Sequence, residues 1–269
     1  MLELKERFSY QGQSVAWGSM GEGDPIVLIH GFPWSAQAWR SIAPWLAKTH
    51  KVYFFDMLGT GLSEKGSDQN VTESVQSDVL EDLIGDWGLT RPQVVGHDFG
   101  GLCALRGHFV NGIEYGKLHL VNAVAVLPSG SPFYAHVANH EPAFAGLPDY
   151  AHEALFRAYI QAAAHYPLRE DSIQMYFKPW SDEVGKAAFY RQIAHADLAN
   201  IEDAQKLYAE PDFDVHMTWG MRDTFIPSKQ GREVQKLLKA KSFTPIPDAS
   251  HIVHEDAPAA LLGSLLNSI

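Results

Sequence analysis

Gln93-Val94-Val95-Gly96-His97-Asp98-Phe99-Gly100-Gly101 is the stretch from which the architecture can be read. Gln93-Val94-Val95 predicts a short buried strand, and Gly101 to Phe109 predicts a helix that starts with small residues. Between them a glycine-flanked aspartate sits on a tight strand-to-helix turn. Such a turn lifts one side chain above the sheet edge and strains its backbone. An aspartate there can be an ordinary N-cap, since its oxygen accepts a first-turn N–H. It can equally be a nucleophile. A carboxylate is already an anion at neutral pH and displaces a leaving group from saturated carbon without a base to activate it. The residue type points away from acyl transfer and towards C–O or C–halogen bonds.

A nucleophile of this kind needs a base and a group to orient the base. Downstream, Phe213–Gly220 reads as a strand, and the loop after it carries Asp223. Ser242–Ile246 reads as the next strand, and the loop after that carries His251, ahead of a last helix opened by Glu255-Asp256-Ala257-Pro258. In an open parallel sheet, reactive groups gather beyond the carboxyl ends of the strands. Asp98, Asp223 and His251 thus stand as nucleophile, acid and base in chain order. Upstream, Ile26–Ile29 is a strand followed by His30-Gly31-Phe32-Pro33-Trp34. An oxyanion intermediate needs fixed backbone N–H donors. In elbow architectures of this kind they come from the residue after the nucleophile, here Phe99, and from the loop after an early strand, here Phe32. Pro33 has no N–H and cannot serve.

Strands and helices alternate over most of the chain. A hairpin at Arg7–Tyr10 and Ser14–Gly18 begins the sheet, and strands follow at Val52–Phe55 and Leu118–Val126. Ser74–Trp87 is helical, with Val75, Val79, Leu83 and Trp87 on one face. The expected fold class is α/β, a mostly parallel doubly wound sheet. Asp56–Ser63, with Gly59 and Gly61, reads as a structural turn near the floor of the site. From Ser131 to Glu210 strand signals vanish, and helical runs appear at Tyr150–Ala164, Asp171–Phe177, Asp182–Ala196 and Asn200–Leu207. The organisation is one core, residues 1–130 and 211–269, with a helical cap inserted at 131–210. A cap over the nucleophile encloses an apolar pocket and keeps water from the charged chemistry.

The motifs His30-Gly31-Phe32-Pro33, Asp56 to Ser63, Gly96-His97-Asp98-Phe99-Gly100-Gly101, Gly220-Met221-Arg222-Asp223 and His251 together resemble the α/β-hydrolase fold family, in order and spacing over nearly the whole chain. The G-H-D-x-G-G run is similar to its aspartate-nucleophile branch, which holds epoxide hydrolases, haloalkane dehalogenases and haloacetate dehalogenases. That resemblance implies attack by Asp98, a covalent ester, and its hydrolysis by water activated by His251. For epoxides it implies cap tyrosines that protonate the leaving oxygen, carried here onto Tyr190 in Ala188-Phe189-Tyr190-Arg191-Gln192 and onto Tyr134 in Ser131-Pro132-Phe133-Tyr134. For halides it implies a tryptophan after the nucleophile. Phe99 breaks that pattern and leaves Trp34 or Trp180 to substitute. The arginines that haloacetate dehalogenases carry after the nucleophile are replaced by Phe99 and Leu102. Epoxide hydrolysis leads, dehalogenation follows, and a non-catalytic small-molecule receptor on the same fold is the reading from another class.

Composition fits this picture. A chain of 269 residues with 46% hydrophobic content can bury one substantial core. A formal charge of -11 argues against nucleic acid or an anionic membrane as partner, and leaves a small-molecule substrate. The single cysteine, Cys103, excludes an intramolecular disulfide and fits the cytoplasm. The charged start, Met1 to Arg7, is unlike a signal peptide. The thirteen histidines lack the i, i+4 pairing of a helical metal motif. His97 and those of the insertion read as packed or surface residues, and His254 as the start of a helix. No glycine-rich loop matches a nucleotide site, so neither metal nor cofactor is expected. Nothing in the sequence speaks to oligomeric state.

Overall fold

The computed structural model describes residues 1–269 and contains one sheet of eight strands. In chain order these are β1 (Glu6–Tyr10), β2 (Gln13–Met20), β3 (Asp24–Ile29), β4 (His50–Phe55), β5 (Gln93–His97), β6 (Lys117–Val121), β7 (Asp214–Gly220) and β8 (Ser242–Ile246). Their spatial order is β1-β2-β4-β3-β5-β6-β7-β8. β1 and β2 form the antiparallel hairpin, β2 meets β4 antiparallel, and every later pairing is parallel. Pro245 sits in β8, an edge strand, where its missing N–H costs no ladder bond to a further neighbour.

The period-2 alternation of the strands sorts the core into two faces. Val27, Ile29 and Val94 point to one side; Ile26, Leu28 and Val95 point to the other. The short helix α1 (Ala43–Leu46) packs on the second face. On the first lie α2 (Glu73–Asp86), with Val79, Leu80 and Leu83, and α3 (Phe99–Phe109), with Leu102 to Leu105. Buried Cys103 belongs to that layer.

Five helices come between β6 and β7: α4 (Pro132–Ala145), α5 (Asp149–Ala162), α6 (Glu170–Phe177), α7 (Glu183–Ala194) and α8 (Leu198–Leu207). The chain then closes with α9 (Ser228–Leu237), α10 (Val253–Asp256) and α11 (Pro258–Leu266). The sequence pattern anticipated four of the five inserted helices. It missed α4, where Pro142 lies inside the helix and His140 leaves helical geometry, so no clean apolar period survives. The insertion has its own aromatic core of Phe156, Phe177, Phe189 and Tyr190, which reaches Phe32 and Trp34 of the β3 loop.

Polar ties lock the insertion to the sheet. Trp180 Nε1 donates to the Pro33 carbonyl at 3.0 Å, and the Ile252 N–H donates to the Ala163 carbonyl at 3.0 Å. Arg40 grips Glu255 bidentately, and Tyr176 and Ser172 of α6 donate to the same carboxylate. The Asp56 loop does the structural job expected of it. Its buried carboxylate accepts the N–H groups of Ala36 and Leu62, both at 2.7 Å. No helix is long and apolar enough to cross a membrane.

Candidate active site

β5 runs to His97 and α3 begins at Phe99, so a single residue, Asp98, makes the turn. Its φ of 54° with ψ of −125° is a conformation that side chains rarely tolerate. Surrounding bonds hold it there: Asp98 N–H donates to Val121, and Gly101 and Val124 N–H groups donate to the Asp98 carbonyl. The turn is also pressed against the β3 end. A Cβ at Gly100 would run into the carbonyls of Ile29 and His30, and one at Gly31 into the Asp98 carboxylate. The helix therefore starts two residues earlier than the small-residue run suggested.

The N-cap reading of Asp98 finds no support, because its side chain caps no helix N–H. Instead Oδ2 accepts the Phe32 N–H at 2.9 Å. The Phe99 N–H, first in α3, donates to no protein acceptor. One of the two expected donors thus already binds the carboxylate, and the other is free.

His251 faces the second oxygen, its Nε2 3.5 Å from Asp98 Oδ1. Its Nδ1 lies 3.0 Å from Asp223 Oδ2. Asp223 is held in turn by the N–H groups of Phe225 (2.8 Å) and Ile226 (2.9 Å), and by Asn122 Nδ2 at 2.6 Å. Burial opposes the Asp223 charge, but His251 and these hydrogen bonds outweigh it and lower its pKa. Burial likewise opposes charge on His251. The carboxylates of Asp223 and Asp98 win, and its pKa is pushed up to about 10. The carboxyl groups on either side of the imidazole thus favour its charged form.

Asn122 escaped the sequence reading, which ran β6 on to Val126. The strand ends at Val121 because Asn122 takes φ 41°, a conformation asparagine accepts more readily than most residues. Its side chain then bridges the Gly220 N–H and Asp223. The one available signal was an amide residue near the carboxyl end of a central strand.

Asp98 and His251 open into a cavity of about 400 Å³, whose wall includes Phe32, Phe99, Tyr134, Tyr159, Phe225 and Pro132. Tyr134 stacks on Phe99 and meets Phe32 edge-on. Tyr134 and Tyr159 both have pKa values raised by burial, and the Asp98 charge adds to the rise. Tyr159 was also missed. On α5 it reads as one more aromatic of a packed helix.

Three of the residues proposed for the leaving group are not brought to this cavity. Tyr190 is buried in the insertion, with its hydroxyl 2.9 Å from His152 Nδ1. Trp180 spends its N–H on Pro33. Trp34 packs edge-on against Tyr176 and does not line the cavity. His97 is more than a packed neighbour: its Nε2 lies 3.0 Å from the His251 carbonyl and braces the His251 backbone. His254 lies in the short helix α10 and packs edge-on with Trp39. No group of three His, Cys, Asp or Glu side chains is arranged to hold a metal ion.

Comparison with known proteins agrees with this geometry at the level of fold. An α/β-hydrolase fold protein from Burkholderia ambifaria is 48% identical and superposes with a TM-score of 0.97, over 99% of this chain and 98% of its own. Haloalkane dehalogenase DatA from Agrobacterium tumefaciens C58 superposes with a TM-score of 0.78 over 97% of this chain and 94% of its own; at 18% identity the likeness is one of fold alone. A soluble epoxide hydrolase from Corynebacterium sp. (strain C12) is 32% identical over 144 residues, which cover 52% of this chain and 50% of that protein. The profile of the alpha/beta hydrolase family matches residues 26–263, from the first parallel strand into the last helix, and the chain belongs to that family.

Proposed function

We propose that the protein is a hydrolase that attacks saturated carbon through an ester on Asp98, and that its substrate is a small apolar epoxide. The observation that carries the reading is the pair Tyr134 and Tyr159 in the same cavity as Asp98 and His251. On this reading the inserted helices act as a cap, and the cavity between them and the sheet is the substrate pocket.

Asp98 Oδ2, tied to the Phe32 N–H, becomes the ester carbonyl oxygen; the other oxygen, Oδ1, forms the C–O bond as the epoxide C–O bond breaks. The leaving alkoxide takes a proton from a tyrosine hydroxyl. Consuming the Asp98 charge removes one cause of the raised tyrosine pKa values, so the donors become more acidic as the alkoxide forms. A halide has no such need, and the indole N–H groups of Trp34 and Trp180 do not line this cavity.

The same loss of charge prepares the second step. Once Asp98 is an ester, His251 keeps burial and Asp223 but loses a carboxylate that raised its pKa. With its pKa lowered it gives up its extra proton, which restores the tyrosine hydroxyl spent in the first step. As neutral imidazole it then deprotonates a water that attacks the ester carbonyl, with the Phe32 and Phe99 N–H groups stabilising the oxyanion. Ester hydrolysis is expected to rise with pH through a midpoint below the value of about 10 that applies to free His251. Single-turnover ester decay measured from pH 6 to 10.5 reads this, and a midpoint at or above 10 contradicts the charge coupling.

Tyr134→Phe with Tyr159→Phe is expected to slow ester formation from an epoxide by roughly 10²–10⁴, the usual worth of general-acid help. Tyr190→Phe, which loses a hydroxyl bonded only within the insertion, should leave that step within about threefold. Stopped-flow alkylation with a strained terminal epoxide makes the comparison. Equal rates in parent and double variant remove the tyrosines from the mechanism. Inertness to epoxides alongside halide release from haloalkanes transfers the function to dehalogenation.

A further inference from the structure

Glu73 is the first residue of α2 and is 6% exposed, yet no Lys, Arg or His pairs with its carboxylate. Oε2 accepts the Asp197 N–H at 3.2 Å and Asn200 Nδ2 at 3.1 Å, which docks the start of α8 onto the core. That structural job occupies one oxygen. No other residue donates to Oε1, and Glu73 lines a chamber of about 420 Å³ beside the Asp98 cavity. Phe99, Tyr134 and the Ser129–Pro132 segment form walls of both spaces. Tyr134 belongs to the lining of both, and the charges of Asp98 and Glu73 both act on its hydroxyl.

Oε1 is not one of the fully buried, unpartnered polar atoms of the chain, so it is open to a donor from outside the protein, and hydrogen bonds to charged groups are among the strong ones. Here it faces a space whose other walls are mainly apolar, among them Ala135, Ala138, Ile193 and Ile201. We propose that this chamber receives the end of the substrate remote from the reacting carbon, and that Glu73 Oε1 accepts a hydrogen bond from a hydroxyl or amine there. The inference rests on the reading of Asp98 as an epoxide-opening nucleophile and names the substrate class for it: epoxides with a distal donor group. Burial raises the Glu73 pKa and nearby Asp197 adds to the rise, against the pull of the Glu73 and Asp197 N–H groups and Asn200.

The test uses terminal epoxides of one chain length that end in hydroxyl, amino, methyl ether or methyl. The parent protein is expected to favour the hydroxyl or amino tail over the ether by roughly ten- to a hundredfold in kcat/KM. The larger of the two identifies the donor. Glu73→Gln keeps a carbonyl oxygen for Asp197 and Asn200 but turns an NH₂ group into the chamber, so its preference should invert towards the ether. Calorimetric binding of the matching vicinal diols reads the same preference without turnover. Epoxides opened at equal rates whatever the tail, with equal diol affinities, overturn the subsite and leave the reaction standing. Diols discriminated by the parent and inverted by Glu73→Gln, with no epoxide opened, sustain the subsite and overturn the reaction.

Discussion

Asp98→Asn is expected to lower turnover by at least about 10⁴, on the scale seen when a catalytic nucleophile is removed. The amide is a poor nucleophile towards saturated carbon, and no other carboxylate in the cavity is positioned to replace it, since Asp223 is fully engaged by Phe225, Ile226, Asn122 and His251. The fold should survive. Asparagine keeps an oxygen for the Phe32 N–H and tolerates positive φ about as well as aspartate, so the strained turn is neither relieved nor worsened. Steady-state kinetics beside a thermal melt separate the two effects. Parent-like turnover with an unchanged melting temperature rules Asp98 out as nucleophile; lost turnover with a collapsed melt shows a structural role instead.

The strain at Asp98 explains why that residue was legible at all. A strand-to-helix reversal through one residue forces glycines at the points of backbone contact, and Gly96, Gly100 and Gly101 advertise it in the sequence. Asp223 and His251 were legible for a related reason, since each follows a strand whose apolar run ends sharply. The mostly parallel character of the sheet likewise follows from strand and helix alternation. What stayed hidden depends on tertiary contact. Asn122 lies in a run that reads as strand, and only its link to Asp223 shows that the ladder has stopped. Tyr159 and Tyr190 both sit in aromatic helices, and local pattern cannot say which faces the sheet. The structure reverses the expectation there, with Tyr190 inside the insertion and Tyr159 at the cavity. The indoles show the same limit: a tryptophan N–H is a free donor in sequence, and Trp180 has already given its own to Pro33.

His251→Gln is expected to split the two half-reactions. Ester formation needs Asp98 and a proton for the leaving oxygen, neither of which comes from His251 in the proposed scheme. Ester hydrolysis needs a base beside the ester carbonyl, and glutamine, with no basic lone pair near neutral pH, cannot be one. Hydrolysis should fall by roughly 10²–10⁴, the worth of general-base help. The variant should then accumulate as a stable adduct, heavier by the substrate mass, on the peptide that contains Asp98. Asp223→Asn should give a milder form of the same result, because it removes the carboxylate that orients the imidazole and sustains its basicity. His254→Phe is the control three residues away. It exchanges an imidazole whose two nitrogens make no hydrogen bond for a ring of similar shape, and ester turnover should stay near the parent rate. Intact-protein mass spectrometry after substrate exposure reads all three. An adduct in His251→Gln, absent from the parent and from His254→Phe, is the expected pattern. Clean protein in every case, with parent turnover demonstrated on the same substrate, would mean that water reaches the carbon without an ester on Asp98, and the covalent scheme falls.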